Sequence, residues 1–282
     1  MSTMPGRMPI IATRAVVLAR GLGKRMRAAD PAAVLDPAQA AAADEGMKAM
    51  IPIGAAGHPF LDYVLSGLAD AGFTQAYVVI GPEHEAIRER YGTYGPVRPA
   101  RIRVVCAVQQ KATGTAEAIL AAEPLVAGAP FVVLNGDNYY PLEVLRQLRE
   151  MPVPALPAFS ARALVAGGIP VERIAEYATL DIAEDGHLRA IREKPEGGSG
   201  IESGVRVSMN PWLLDKEIFR AVREVPLSRR NERELPEAVQ WAIGRQGITY
   251  HTFPTNARVL DLSRRADVAA MSAALAGVEV SL

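Results

Sequence analysis

Short runs of aliphatic and β-branched residues alternate with amphipathic stretches through the first half of the chain. The runs predict buried strands in RAVVLA, AYVVI, RIRVVCAV and FVVLN. The intervening stretches PFLDYVLSGLADAG, EHEAIRERY, GTAEAILAAE and LEVLRQLRE have helical spacing; in the first, Pro59 suits the opening turn and Gly72 the C-terminal cap. This alternation predicts an α/β fold with a mixed, mainly parallel sheet and helices on both faces. Ligands of such sheets bind at the carboxyl ends of the strands.

The pattern changes after Glu150. A proline-punctuated segment, MPVPALPAF, leads to two alternating strands around an EDG turn. A strand in SGVRVSM, helices in LLDKEIFRAVRE and ELPEAVQWAIGR, strands in ITYHTF and RVLDL and a helix from Ser263 complete the chain. We expect a flexible tail at 1–13, a parallel-sheet half at 14–150 and a smaller α+β half at 151–282, within one integrated domain.

Composition narrows the class of protein. The 282 residues are 49% hydrophobic and 22% charged, as in a globular protein with a sizeable core, where we place Trp212 and Trp241. The 31 cationic and 31 anionic residues cancel, so no overall field favours nucleic acid or a membrane as a partner. The start of the chain lacks the apolar core of a signal peptide, and no run approaches a membrane span. Cys106 is the single cysteine and lies in an apolar run, so we expect it to be a small core residue. A chain with one cysteine can form no intramolecular disulfide, which fits a reducing compartment, and we expect a cytoplasmic protein.

The first strand ends in a glycine-rich, basic turn, VVLARGLGKRMRAAD at 16–30. The turn is not an ATPase phosphate loop, because Leu18 and Arg25 occupy the positions of that loop's first glycine and hydroxyl residue. It is not a dinucleotide fingerprint, because Met26 stands where the helix needs a small residue to pack on the strand. A third kind of phosphate cradle and a solvated basic loop remain, at similar odds on the turn alone.

Two features of the turn suit an anion. Gly21 and Gly23 let backbone N–H groups approach a phosphate. Lys24, Arg25 and Arg27 add positive charge beside them. Since the whole chain has no net charge, binding of a polyanion has to come from such a local cluster.

The turn opens an ordered series of motifs. LARGLGKRM is followed by MKAMIPI, PFLDYVLSGLADAG, QQKATGTAEAI, VLNGDN, IREKP and VLDLS, over nearly the whole chain. The series resembles that of the sugar-1-phosphate nucleotidyltransferases, the NDP-sugar pyrophosphorylases, and AVQ…GTA and GDN are similar to their thymidylyltransferase-like branch. The resemblance implies a Rossmann-like, GT-A-like nucleotidyltransferase fold, with nucleotide bound by the first half and sugar phosphate by the second.

The resemblance also implies a reaction, in which a sugar-1-phosphate oxygen attacks the α-phosphorus of a nucleoside triphosphate and pyrophosphate leaves. It gives catalytic roles to Arg25, at the charge developing between the α- and β-phosphates, to Lys48, which holds the triphosphate, and to Asp137. Asp137 and Asp261 both follow predicted strands, and two carboxylates suit Mg²⁺, the expected cofactor. The alternatives to metal binding are structural: Asp137 could cap a turn, and Asp261 could begin a helix.

Two binding sets follow from the same resemblance. The residues expected to contact the nucleotide are Leu18, Ala19, Gly21, Gly23, Lys24, Gln109, Gly114 and Thr115. The residues expected to contact the sugar phosphate are Tyr177, Glu193, Lys194 and Gly204. The Gln109 amide offers a donor and an acceptor to a base edge, and Gln110 is the alternative because the register of VQQKATG is open by one residue.

Three residues depart from the family's pattern. Arg20 replaces a usual glycine and fits if its side chain points to solvent. Lys24 replaces the usual Thr or Ser and would add positive charge beside the triphosphate. Ala178 replaces a usual glycine near the expected sugar site. The gap before Lys48 is stretched by the alanine-rich segment 27–46. We interpret this segment as a loop that orders on nucleotide binding, a short packed helix or a spacer.

Two other functions stay open. An enzyme of the same fold could use another acceptor, such as a cyclitol phosphate, a phospho-alcohol or a molybdenum cofactor. A non-catalytic regulator would bind nucleotide or sugar phosphate as a signal. The joint presence of the cationic and acidic candidates favours an enzyme, and the resemblance extends to proteins that form homo-oligomers.

Overall fold

The computed structural model describes residues 11–92, 95–192, 204–228 and 231–282. Within these ranges the strands are β1 Arg14–Leu18, β2 Pro52–Ile53, β3 His58–Pro59, β4 Gln75–Ile80, β5 Arg103–Val108, β6 Phe131–Asn135, β7 Asn138–Tyr139, β8 Ala155–Ser160, β9 Thr179–Ile182, β10 Leu188–Arg192, β11 Arg206–Val207, β12 Trp212–Leu214, β13 His251–Thr255 and β14 Leu260–Asp261. The α-helices are α1 Lys24–Arg27, α2 Pro37–Asp44, α3 Phe60–Asp70, α4 Glu85–Tyr91, α5 Thr115–Leu120, α6 Glu123–Val126, α7 Leu142–Arg149, α8 Ala161–Ala166, α9 Val171–Ile174, α10 Ile218–Glu224, α11 Leu235–Trp241 and α12 Asp267–Ala274. A 3₁₀ turn covers Lys48–Met50 and a π-helical turn Ala242–Gln246. In the part of the chain so described, no helix has the length and apolar character needed to cross a membrane.

Four parallel strands form the first half of the main sheet, in the order β6-β1-β4-β5. Their sequences are apolar throughout because both faces are covered: Ala15, Val16 and Val17 of β1 are fully buried. The predicted α/β class and the parallel first half are confirmed. Since the four strands run the same way, their carboxyl ends meet at one edge of the sheet.

The second half continues the same sheet. β12 pairs antiparallel with β6, the path continues through β8, β11, β9 and β10, and β13 pairs parallel with β8. The result is one mixed sheet of ten strands across both halves. The predicted pair of strands around the EDG turn is present as β9 and β10, with Gly186 at a φ of +85°.

Two strands of the ten-stranded sheet lie where the pattern predicted none. β8 contains Pro157, which lacks an N–H for the ladder, but residues 155–159 are all buried and pair with three neighbouring strands. The helix predicted over LLDKEIFRAVRE begins only at Ile218, because residues 212–214 form β12. The short helices α8 and α9 are also absent from the sequence prediction.

Two buried clusters cover the faces of the sheet, and alternate residues of β1 belong to each. α3, α7, α8 and α12 contribute to one cluster, and α5, α10 and α11 to the other. Trp212 is fully buried in the second cluster and Trp241 packs against it, as predicted. Cys106 is half-buried against the first cluster, and burial raises the pKa of its thiol, which disfavours the reactive thiolate.

The alanine-rich segment contains a capped helix, α2. The Asp36 carboxylate accepts from Gln39 N at 2.8 Å, and the Gln39 side-chain oxygen accepts from Asp36 N at 3.1 Å, forming a capping box. Gln39 Nε2 also donates to the carbonyl of Pro52 at 3.0 Å. Residues 37–44 are therefore helical, one of the three interpretations of this segment, while 28–36 form bends and turns. A change in mobility on nucleotide binding stays a prediction.

Candidate active site

The glycine-rich turn leaves the end of β1 and leads into α1. Ala19 N donates to Val79 O of the neighbouring strand β4 at 2.9 Å, so the turn begins at the carboxyl edge of the sheet. Gly23 has a φ of +59°, and a Cβ there would lie 2.4 Å from the carbonyl oxygen of Gly46, so only glycine fits. A Cβ at Gly21, by contrast, would meet no atom within 4 Å.

A cavity of about 420 Å³ opens beside this turn. It has the size of a small-molecule site. Every residue of the first half that was expected to contact nucleotide or act in catalysis lines it: Leu18, Ala19, Gly21, Gly23, Lys24, Arg25, Lys48, Gln109, Gly114, Thr115 and Asp137. Residues that sequence reasoning did not identify also line it, among them Asn135, Glu232, Glu234 and Ser263.

Lys48 and Asp137 form an ion pair in the wall of this cavity. Lys48 begins the 3₁₀ turn at 48–50, and its Nζ donates to Oδ2 of Asp137 at 3.0 Å. Asp137 follows the end of β6, and both side chains are partly buried. Two candidates 89 positions apart in sequence thus share one site.

A smaller cavity of about 120 Å³ adjoins the first. The residues that line both cavities are Arg25, Asn135, Asp137 and Ser263. The rest of the smaller lining is mostly polar: Asn138, Arg173, Tyr177, Ser208, Met209, Asn210 and Asp261. Amide, hydroxyl and carboxylate groups of this kind suit a ligand rich in hydroxyl groups. Asp137 lies where the two cavities meet.

Asp261 lies in the smaller cavity at the end of β14. Its Oδ2 accepts hydrogen bonds from Tyr177 at 3.1 Å and from Arg173 at 3.0 Å. Burial and then the negative charge of Asp137 raise the pKa of Asp261 to about 6, against the opposing effect of Arg173 and Lys48. The two carboxylates therefore repel one another across the site. No group of three or more Asp, Glu, His or Cys side chains arranged to hold a metal occurs among the residues described.

Arg173, in α9, is a candidate that sequence reasoning missed. Its side chain is 6% exposed; it pairs with Asp261 at 3.0 Å and with Asp267 at 3.1 Å. The Asp267 carboxylate also accepts from the backbone of Ser263 and Arg264, so Arg173 connects Asp261 to the start of α12. The only sequence signal is a single arginine within the apolar run IPVERIA, which does not indicate partners 88 and 94 residues away.

Gln109 and Gly114 form one unit at the other end of the larger cavity. Gln109 is 7% exposed, and its Nε2 donates to the carbonyl of Gly114 at 3.2 Å, whereas Gln110 is exposed. The structure thus places Gln109 rather than Gln110 in the lining. Gly114 has a φ of +116°, and a Cβ there would lie 2.1 Å from the carbonyl oxygen of Arg233, so the close approach requires glycine.

The Arg20 side chain does not point to solvent, the condition under which the sequence could accommodate an arginine here. It is 9% exposed and lines the larger cavity. Its NH1 donates to the carbonyl of Gln109, and its Nε donates to Oε1 of Glu83 at 3.1 Å. The side chain turns inward because the two strand ends next to it supply these acceptors within its reach.

Arg25 forms an ion pair with Glu176, which precedes the smaller cavity's Tyr177. Both members of the pair are half-exposed. Arg25 therefore joins the glycine-rich turn of the first half to the second half of the chain.

Arg265 supports the glycine-rich turn from the C-terminal region. Its Nε donates to the carbonyls of Met26 at 2.9 Å and Ala28 at 3.1 Å, and its NH2 pairs with Asp44 at the end of α2. These carbonyls are the unpaired acceptors at the end of α1. One arginine therefore caps α1 and ties it to α2.

The expected sugar-phosphate residues differ in their placement. Tyr177 lines the smaller cavity. Ala178 is buried beside it, and Gly204 lines neither cavity. Glu193 and Lys194 lie outside the described residues.

Solved structures share this architecture. A UTP-bound UGPase from Acinetobacter baumannii superposes with a TM-score of 0.71 at 17% identity and covers 95% of both chains. A UDP-glucose pyrophosphorylase complexed with UDP-glucose gives 0.69 at 18% identity, covering 93% of this chain and 98% of that one. The open mixed sheet, with its cavities at the strand ends, is therefore the α/β fold of the nucleotidyltransferases.

Sequence comparison leads to the family. Residues 43–257 match the family model described as Nucleotidyl transferase, and the chain belongs to this family. It is 26% identical over 230 residues to a glucose-1-phosphate thymidylyltransferase from Streptomyces griseus, covering 82% of this chain and 57% of that protein. It is 25% identical over 198 residues to the low-salt glycan biosynthesis nucleotidyltransferase Agl11 from Haloferax volcanii, covering 69% and 51%. The chain thus spans about half the length of the curated relatives it matches.

Proposed function

We propose that the chain condenses a nucleoside triphosphate with a sugar-1-phosphate to give an NDP-sugar and pyrophosphate. One observation carries the proposal: Asp137 lies at the junction of a nucleotide-sized cavity and a smaller polar cavity, with Lys48 Nζ 3.0 Å away. Such a junction suits in-line attack of the sugar-phosphate oxygen on the α-phosphorus, because each substrate has its own cavity and the reacting groups meet between them. The names of the relatives support this class of substrates.

The larger cavity offers the charge that a triphosphate requires. Arg25 is proposed to stabilise the charge that develops between the α- and β-phosphates as pyrophosphate leaves, aided by the backbone N–H groups of Gly21 and Gly23. Lys48 is proposed to hold the triphosphate beside Asp137. Lys24 adds a further cation to the same wall. Their joint contribution is electrostatic stabilisation and positioning.

The acidic residues fit Mg²⁺. Asp137 and Asp261 supply an all-oxygen donor set. Burial and then the charge of Asp137 raise the pKa of Asp261, and a dication would relieve the repulsion between the two carboxylates. With only two carboxylates, Mg²⁺ would take its other ligands from substrate phosphates and water, its usual pattern. When bound, the ion would neutralise phosphate charge. Arg173 and Tyr177 hold the Asp261 carboxylate in place for it.

The smaller cavity is proposed to take the sugar phosphate. Tyr177, Asn138 and Ser208 line it and offer hydroxyl and amide groups. By resemblance to the family, Glu193 would bind sugar hydroxyls and Lys194 the sugar's phosphate. Nucleoside triphosphates are supplied in the cytoplasm, where we place the reaction.

The direct test is pyrophosphate release, measured for a panel of nucleoside triphosphates against sugar-1-phosphates with Mg²⁺. We expect turnover with at least one pair and none without Mg²⁺. Asp137→Ala and Asp261→Ala should each abolish turnover while leaving the melting temperature within a few degrees of the wild type.

Three results would contradict the proposal or a part of it. Tight binding of nucleotide without pyrophosphate release from any pair would identify a regulator. Release with a cyclitol phosphate or a phospho-alcohol, but with no sugar-1-phosphate, would keep the chemistry and change the acceptor. A large loss of melting temperature with residual activity in the aspartate variants would show that these side chains are structural.

A further inference from the structure

Arg20 spans the ends of three neighbouring strands in the larger cavity. It follows β1, its Nε and NH2 donate to the two oxygens of Glu83 at 3.1 and 3.4 Å, and its NH1 donates to the carbonyl of Gln109. Glu83 follows β4 and Gln109 follows β5, the next two strands of the sheet. A side chain with only 9% exposure is therefore held in a fixed orientation between them.

These contacts do not use all the hydrogen-bond donors of the Arg20 guanidinium. It carries five N–H groups, of which Glu83 and Gln109 use three. One N–H on each terminal nitrogen is thus left for a ligand, and the side chain lines the cavity. No other acceptor for Arg20 occurs within the described ranges.

Gln109 presents the complementary atom. Because its Nε2 donates to the carbonyl of Gly114, the orientation of the amide is fixed and Oε1 faces away from Gly114. Among the residues that the structure describes, none donates to this Oε1. The cavity wall therefore carries a guanidinium donor and an amide acceptor on adjacent residues in space, both oriented by protein contacts.

We propose that Arg20 is a base-specificity residue, which with Gln109 selects nucleobases that present a carbonyl oxygen beside a ring N–H. This edge occurs in uracil, thymine and guanine: the carbonyl accepts from Arg20 and the ring N–H donates to Gln109 Oε1. Adenine and cytosine present an amino group beside an unprotonated ring nitrogen, which puts a donor against the guanidinium and an acceptor against the amide oxygen. The inference rests on the proposed function, because it assumes that this cavity binds the nucleotide.

The expected discrimination follows from the cost of unpaired polar groups. A mismatched base leaves a charged donor and a buried acceptor unsatisfied. Loss of one hydrogen bond to a charged group corresponds to roughly 10- to 100-fold in affinity. Arg20 stands where the family's pattern usually has glycine, so the contribution of Arg20 to base selection would be specific to this chain.

The test is calorimetric binding of UTP, dTTP, GTP, CTP and ATP to the full chain with Mg²⁺, without a sugar phosphate so that no turnover occurs. For the wild type we expect UTP, dTTP and GTP to bind about 10- to 100-fold more tightly than CTP and ATP. Arg20→Gly should reduce this ratio to within a few-fold. Arg20→Lys, which keeps the charge but loses the planar fork, should fall between the two.

Lys24→Gly is the matched control, because Lys24 is a cation of the same turn and lines the same cavity. It should weaken all five nucleotides alike and leave the ratio unchanged. If Arg20→Gly behaves like Lys24→Gly, Arg20 supplies only charge and the proposal is wrong. If the melting curve shows that Arg20→Gly does not fold, Arg20→Lys replaces it in the test. A ratio of affinities between the two groups of nucleotides equal to that of the wild type would then overturn the proposal.

Failure of this inference is distinguishable from failure of the proposed function. Equal binding of all five nucleotides, together with pyrophosphate release, would overturn the role of Arg20 alone. Absence of binding for every nucleotide would overturn both.

Discussion

Lys48 Nζ and Asp137 Oδ2 lie 3.0 Å apart, and neither side chain is fully covered by protein. A cation and a carboxylate proposed for the same reaction thus neutralise one another until a substrate or metal arrives. A partly exposed ion pair contributes only about 0–1 kcal/mol to the free energy of unfolding. We therefore expect this pair to matter for activity rather than for stability.

Lys48→Met should lower kcat by roughly 10²- to 10³-fold, the usual cost of one electrostatic contact in a transition state. The melting temperature should change little, because the ion pair contributes little to folding. Steady-state pyrophosphate assays and thermal melts measure the two effects. Lys111→Met, at an exposed lysine, is the control and should leave both quantities unchanged. Unfolding of the Lys48 variant at a much lower temperature would contradict this prediction.

Glu176→Gln should lower the KM for nucleotide by about two- to fivefold, because Glu176 competes with the triphosphate for Arg25 at about the energy of an exposed ion pair. Arg25→Ala should instead reduce kcat strongly, since its contact strengthens as charge develops. Glu172→Gln, at an exposed carboxylate in α9 four residues before Glu176, is the matched control. A rise in the KM for the sugar phosphate in Glu176→Gln would show that this carboxylate binds substrate.

Amide exchange in residues 27–46 should slow on addition of nucleotide and Mg²⁺, more than in α3. The structure localises the effect: the capped helix α2 should be protected in the free protein, so the slowing should concentrate in 28–36. Hydrogen-exchange mass spectrometry measures it. The Val34 side chain is 87% exposed, so the one β-branched residue of 28–36 contributes little packing to this stretch. Slow exchange over 28–36 in the free protein, unchanged by ligand, would contradict the prediction.

Stability should fall as the pH is lowered below about 6.5, in part through His251. Its Nε2 lies 2.9 Å from His187 Nε2, a contact that requires one of the two nitrogens to be unprotonated, and His187 Nδ1 pairs with Asp185 at 2.8 Å. Burial and then the charge of His187 lower the pKa of His251 from 6.5. The unfolded chain therefore binds more protons there than the folded one, and the free energy of unfolding increases with pH through this window.

Chemical denaturation at pH 5 and pH 7.5 checks the sign. His251→Gln should show a smaller difference between the two pH values than the wild type. An unchanged difference between the two pH values in His251→Gln would contradict the assignment to His251.

Local chemistry made much of the site predictable. The turn with Gly23 and the strand end before Asp137 follow from strands whose apolar runs are continuous, and parallel strands bring their ends together. The choice between Gln109 and Gln110 needed the structure, because the register of VQQKATG was open by one residue. The structure adds the pairing of Lys48 with Asp137, which depends on how segment 27–46 folds back.

Other features depend on contacts distant in sequence. β8 contains Pro157 and β12 begins inside an apparently helical pattern, so only pairing with neighbouring strands defines them. The sequence does not predict the contacts of Arg173 and Arg20, because their carboxylate and carbonyl partners lie far along the chain. Such buried polar contacts leave no periodic signal in sequence.

The cap that Arg265 places on α1 joins residues 239 positions apart. A ribosome therefore releases the nucleotide-binding turn long before it synthesises the arginine that supports it. During translation the carbonyls at the end of α1 have only water as a partner, and Asp261, the other late-arriving group, is missing from the site. Nascent chains should thus gain affinity for nucleotide abruptly, once Asp261 and Arg265 have emerged from the ribosome, so the site is completed long after the turn that begins it.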